Sequence, residues 1–291
     1  MARVVPLPDG RRLGLAEYGD ADGAPVFLFH GLPGSRLQFH PDPAVARGCG
    51  VRVLALERPG MGLSTPHPRR RIVDWPRDVA AAADALGLAK FGVMALSGGG
   101  PYGAACAALI PERLTSITFV SPLGPIDKRR ARLVMAPLPG TFLGLARWAP
   151  WLLPLPAGIY LLLRHFPRTI HMARPWAGIS ASDRAALREM PEIGAMYRRD
   201  LTEATRQGYG GVLTDARLAS RPWGFALDSI RVPVTLWYGD RDALTPPAMQ
   251  ASLARAIPHC RVHCLPGEGH FLFFRHLREI LAAAREGLRT D

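Results

Sequence analysis

Five short runs in this chain are apolar at almost every position and give way within a few residues to glycine or proline. They are "APVFLFHG" from Ala24, "VRVLALERPGMG" from Val51, "FGVMAL" from Phe91, "SITFVSPLG" from Ser116 and "VPVTLWYGD" from Val232. Strands with one wet face alternate polar and apolar residues, whereas strands buried on both faces do not. The runs therefore imply an α/β chain with a mostly parallel sheet covered by helices on both sides. "VDWPRDVAAAADALGL", with Gly87 near its end, and "PYGAACAALIPERL" have the composition and spacing of covering helices. An N-terminal strand pair turns at Asp9-Gly10, a favoured hairpin dipeptide. Towards the other end, "PPAMQASLARAI" reads as a helix, "CRVHCLPGEGH" as a strand and "FLFFRHLREILAAAREGL" as a closing helix. Ligands bind such sheets beyond the carboxyl ends of the strands. His30, Ser97, Asp242 and His270 each fall just after an expected strand, so they should share one rim.

The alternation stops over residues 124–223, which are rich in proline, tryptophan and helix-like pieces. This segment is expected to be a helical cap, or lid, inserted between two parts of the core, residues 1–123 and 224–291. It holds 15 basic and 7 acidic residues, most of the chain's formal charge of +12. Only Lys90 and Lys128 are lysines, and no run interleaves basic and aromatic residues, so nucleic acid is not an expected partner. The apolar run "WAPWLLPLPAGIYLLL" (148–163) has 16 residues and three prolines, short of the ~20 that a spanning helix needs. A buried or interfacial helix pair is expected there, with no transmembrane segment and at most weak contact with a membrane surface. The start of the chain has no apolar signal-peptide core, and four cysteines lie scattered without disulfide spacing. Both suggest a reduced, cytoplasmic setting. The sequence is silent on oligomeric state.

"VMALSGGGPYG" (93–103) puts Ser97 where a strand should break sharply into a helix. Such an elbow lifts a serine hydroxyl above the sheet edge and needs small residues two before and two after it. Here those are Ala95 and Gly99; the usual residue at the first position is glycine. A phosphate-binding loop would require a lysine and a glycine spacing that are missing. A serine hydroxyl needs a base, and the base an orienting acid. His270, in "PGEGHFLF", lies between a glycine-rich strand exit and the last helix. His30 precedes an oxyanion-type loop, His263 lies in a strand and His276 in a helix. For the acid, "WYGDRDALTP" offers Asp242, which clears the sheet, and Asp240, better suited to shaping the turn; Asp127 is a third candidate. The oxyanion would take the backbone amides of Gly98 and Leu32, since Pro33 has none to give.

"HGLPGSR", "ERPGMGLS", "ALSGGGPYG", "GDRDALTP" and "GEGHF", in this order, resemble the α/β-hydrolase superfamily, specifically its capped serine hydrolases with an HG-x-P oxyanion loop. The resemblance implies a twisted, mostly parallel eight-stranded sheet flanked by helices, with Ser97, Asp242 and His270 as the triad. Relatives that use an aspartate nucleophile are excluded by Ser97. Proline iminopeptidases differ at Gly98, although Glu189, Glu192 and Glu203 would suit a substrate amine.

Other signals are read as structural. "HCRVHC" (259–264) splits its cysteines and histidines between two strand faces, which argues against a metal site. Ser64 and Ser121 lack small neighbours on both sides, and Glu57 and Arg58 are assigned to turn shaping. The expected activity is hydrolysis of a fairly hydrophobic small carboxylic ester, or related acyl bond, through an acyl-enzyme, with no cofactor or metal. Trp148, Trp151, Trp176 and Trp223 of the cap suggest the apolar pocket. Acyl transfer, C–C bond hydrolysis and a non-hydrolytic ligand receptor are the alternatives.

Overall fold

A computed structural model describes residues 2–39, 42, 44–125, 135, 137–152 and 179–286. Its strands are β1 (Ala2–Pro6), β2 (Arg12–Gly19), β3 (Ala24–Phe29), β4 (Val51–Leu56), β5 (Phe91–Leu96), β6 (Leu114–Val120), β7 (Val234–Gly239) and β8 (Cys260–Leu265). They form one eight-stranded sheet in the order β1-β2-β4-β3-β5-β6-β7-β8. β2 is antiparallel to both its neighbours, and the strands from β4 to β8 are mutually parallel. The carboxyl ends of β3, β5, β6, β7 and β8 therefore open onto one rim.

The helices are α1 (Ala44–Gly48), α2 (Trp75–Ala85), α3 (Gly100–Leu109), α4 (Pro137–Trp148), α5 (Ala181–Glu189), α6 (Pro191–Ala204), α7 (Gly210–Ala219), α8 (Pro247–Ala256), α9 (Leu272–Arg275) and α10 (Leu277–Glu286). Strand side chains alternate between faces, which sorts neighbouring residues into two cores. Phe27, Phe29, Val93, Ala95, Ile117 and Phe119 pack with Val79 of α2 and Ala105 of α3. Val26, Leu28, Met94, Leu96 and Val120 pack on the other face with Ile280 and Leu281 of α10. All six residues of β5 are buried, as a strand covered on both faces requires.

One expected element is corrected. The closing helix is broken at His276, where φ/ψ of −115°/20° leaves the helical region. The His276 ring turns back to Glu268 (3.2 Å), which also meets Arg275. The histidine thus lies between two helices and not inside one. Between β6 and β7 the regular elements among the described residues are helices. Ile179, Ala186, Ile193 and Met196 from this region join the second core. Of the apolar run 148–163, only 148–152 fall among the described residues, and Trp148 and Trp151 there are 63% and 72% exposed. The helix pair expected over that run lies outside the described residues, as do Trp176 and Asp127. Among the described residues no helix is long and apolar enough to cross a membrane.

Candidate active site

Ser97 directly follows β5 with φ of +46°, a left-handed conformation that costs a non-glycine residue energy. The turn is paired on its far side, where the Leu123 amide donates to the Ser97 carbonyl (2.7 Å). Alanine at position 95 is accommodated one helical turn later, because a Cβ on Gly103 would stand 2.7 Å from that of Ala95. The elbow's usual first glycine is thus exchanged for one on the facing helix.

The rim brings Ser97, Asp242 and His270 together, three of the four residues expected there. His270 Nε2 lies 3.1 Å from Ser97 Oγ, and its Nδ1 lies 2.9 Å from Asp242 Oδ2. A carboxylate only accepts, so Nδ1 carries the proton and Nε2 offers its lone pair to the serine. Asp242 is fully withdrawn from solvent and the His270 side chain is 9% exposed. Asp242 Oδ1 accepts the Leu244 and Thr245 amides (2.8 and 2.9 Å), and Oδ2 the Thr245 hydroxyl (2.8 Å). Burial opposes the charge on Asp242, but His270 and the Thr245 donors outweigh it and hold the carboxyl below its ordinary range. Burial likewise opposes charge on His270, yet the Asp242 carboxylate prevails and leaves the imidazole above its usual value of 6.5. Asp240 instead accepts the Gly267 amide (2.7 Å), tying the β7 exit to the histidine's loop.

Leu32 and Gly98 meet beside the serine. A Cβ on Gly98 would fall 2.8 Å from the Leu32 amide nitrogen and 2.5 Å from the Leu32 Cβ. Glycine is what lets this backbone pass so close. His30 stays in the interior: its Nε2 accepts the Arg58 amide (3.3 Å), leaving Nδ1–H to donate to the Gly31 carbonyl (2.9 Å). Burial and the nearby Arg58 keep it well below 6.5.

Glu57 and Arg58 do not pair with each other. Glu57 accepts the Leu63 amide (2.7 Å) and Arg36 (2.6 Å), which shapes the turn after β4. Ser64 Oγ is occupied by the Glu57 carbonyl (2.7 Å) and the Gly14 amide (2.9 Å). Ser121, with φ of +44°, sits at the end of β6. Glu189 pairs with Arg275, Glu203 with Arg36 and Arg206, and Glu192 is exposed on the first turn of α6. His263 stacks on Trp237 at 4.1 Å within β8. All four cysteines are free. Among the described residues no three His, Cys, Asp or Glu are grouped to hold a metal.

Three aspartates escaped sequence reasoning. Each lies on a helix between β6 and β7, and each is 1% exposed. Asp183 of α5 accepts the Phe271 amide (2.8 Å), directly after His270. Asp200 of α6 accepts both the Ser35 amide and hydroxyl (2.7 Å each); burial pushes its carboxyl up to about 7 against those donors. Asp215 of α7 accepts Arg58 Nε (2.5 Å), Arg70 and the Tyr102 hydroxyl (2.7 Å). Arg58 in turn donates to the carbonyls of His30 and Gly31 (2.6 and 2.7 Å). Thr245 was in plain view, three residues after Asp242, and an Asp-x-x-Thr spacing is a signal for such a turn.

A family model described as alpha/beta hydrolase fold matches residues 24–277. Over 269 residues, 90% of this chain and 91% of the other, the sequence is 26% identical to a pimeloyl-acyl-carrier-protein methyl ester esterase of Neisseria meningitidis. Over 119 residues, 40% of this chain, it is 34% identical to the dihydrolipoyllysine-residue acetyltransferase component of the acetoin cleaving system of Pseudomonas putida. That match spans only 31% of the Pseudomonas protein. In structure it resembles a thermophilic esterase from Thermogutta terrifontis, with a TM-score of 0.68, 21% identity, and coverage of 99% of this chain and 98% of that one. At that identity the likeness concerns the fold alone.

Proposed function

This chain belongs to the alpha/beta hydrolase fold family, and from that premise we propose that it is a serine hydrolase cleaving a small, fairly hydrophobic carboxylic ester. The observation that carries this reading is the unbroken relay from Ser97 Oγ through His270 to Asp242, at 3.1 and 2.9 Å. As Ser97 attacks the ester carbonyl, His270 Nε2 takes the hydroxyl proton. The oxyanion is met by the amides of Leu32 and Gly98, donors of a kind worth roughly 3–4 kcal/mol each. The imidazolium then protonates the leaving alcohol, while Asp242 stabilises its charge and fixes its tautomer. Water, deprotonated by the same nitrogen, attacks the acyl-enzyme, and the acid departs. Residues 124–223 serve as the cap over this rim, excluding water during the chemistry.

The esterase name of the Neisseria relative supports ester cleavage. The acetyltransferase name of the Pseudomonas relative favours a second reading, acyl transfer from the same intermediate. A fluorophosphonate probe should label the wild type and not Ser97→Ala, and a panel of p-nitrophenyl esters should show preference for medium apolar acyl chains. Absence of labelling on folded wild type would refute a serine nucleophile. Identification of the product as free acid or transferred acyl group separates the two readings.

A further inference from the structure

Asp200 is a buried carboxylate that pairs with no arginine or lysine among the described residues. Burying such a charge is costly, and a site that needed only packing would carry a neutral side chain. What the carboxylate supplies is polarity. Its Oδ1 is filled by Ser35, and its Oδ2 accepts Gln38 Nε2 (3.3 Å). The Gly31 N–H can only donate, so Gln38 turns its Oε1 towards it and is left with Nε2 to donate to Asp200 Oδ2. Gln38 is itself buried. Gly31 is wedged between this amide and the nucleophile: a Cβ on it would lie 3.1 Å from Gln38 Oε1 and 3.3 Å from Ser97 Cβ. The next residue is Leu32.

Resting on the serine hydrolase reading above, we infer that Asp200 is a positioning residue for the oxyanion loop, acting through Gln38 to fix the Gly31 amide and with it the Leu32 donor. α6 would then set the geometry of the reaction from outside the sheet. Hydrogen-bond direction along this chain of side chains can be inverted by substitution. Asp200→Asn keeps the Ser35 bonds but turns an N–H2 group towards Gln38. If Gln38 flips to accept it, two donors face each other at Gly31; if it does not, two donors face each other at residue 200. In the double variant Asp200→Asn/Gln38→Glu, the carboxylate at 38 accepts from both sides and the chain of bonds is restored with the same net charge.

The test measures kcat and KM on a p-nitrophenyl ester, fluorophosphonate labelling and thermal melting, for wild type, Asp200→Asn, Gln38→Leu and the double variant. Wild type that neither labels nor turns over an ester defeats the hydrolase reading and this inference together. With active wild type, Asp200→Asn should lower kcat about 10–100-fold and leave KM within about threefold, the pattern of a misplaced transition-state donor. The double variant should recover kcat to within about threefold of wild type. An unchanged kcat in Asp200→Asn overturns the inference, as does a loss that the double variant fails to recover. Should Asp200→Asn not fold, Gln38→Leu decides, since it leaves Asp200 its Ser35 partners. Unchanged kcat in that variant overturns the inference, and a selective fall in kcat upholds it.

Discussion

His270 can take a proton only while neutral, and the Asp242 carboxylate draws it the other way. The imidazole's raised pKa means that kcat/KM for an ester should fall as pH drops through a midpoint above 6.5. Asp242→Asn removes that carboxylate, so the midpoint should move down and kcat should fall by roughly 10⁴; a pH–rate profile on both proteins checks both statements. A second residue-scale expectation concerns Gly103. Gly103→Ala would set a Cβ 2.7 Å from that of Ala95, and overpacking of this kind costs about 1–3 kcal/mol, to be read as a lower melting temperature. Ala95 is a departure from the usual elbow that looks tolerable from sequence, but its compensation was not legible there. Glycine in a helix advertises a close approach without saying to what. That Ser97, His270 and Asp242 would meet on one rim was legible because strand exits and turn residues are local signals. The Asp240 side chain illustrates the limit, since its partner is the amide of Gly267, across a different loop.

At the scale of elements, α5, α6 and α7 each send one buried aspartate to a different stretch of the rim. The separations explain why no motif betrayed them: Asp183 to Phe271 is 88 residues, Asp200 to Ser35 is 165 and Asp215 to Arg58 is 157. On a helical pattern an aspartate reads as solvated surface, and only the fold turns it inward. Asp215 faces two buried arginines. Asp215→Ala should therefore destabilise the protein by roughly 3–5 kcal/mol, because Arg58 and Arg70 would remain as uncompensated charges. Burial opposes the charge on Asp215, but the two guanidiniums hold its carboxyl down at about 2. A depressed acid contributes stability that is present above its ordinary 3.8 and lost as pH falls towards 2. Acid unfolding of the wild type should include that loss, and denaturant titrations at stepped pH would reveal it. The break at His276 belongs to the same scale. Helical spacing alone marks one continuous helix, while in the structure Arg275 and His276 turn to Glu268 where it breaks.

Across the whole molecule, these attachments bear on how α5, α6 and α7 behave. A hinged flap with few buried polar links would exchange its amide hydrogens well before the sheet does. With Asp183, Asp200 and Asp215 all nearly inaccessible, α6 and α7 should instead resist exchange to a degree approaching β5, which hydrogen–deuterium exchange read by peptide mass spectrometry can determine. Early exchange of both helices would contradict the attachment. The mostly parallel sheet and the N-terminal strand pair follow patterns visible in the apolar runs and the Asp9-Gly10 turn, whereas the strand order and the depth to which these helices are tied down depend on contacts no linear pattern encodes.

Ser97 and His270 stand 173 positions apart in the polypeptide. At ordinary rates of translation roughly 10–30 s pass between the emergence of the one and the other. On the serine hydrolase reading, the nascent chain bears through that interval a Ser97 hydroxyl with no histidine beside it. The base of that reading arrives only once the chain beyond β8, which carries His270, has been made.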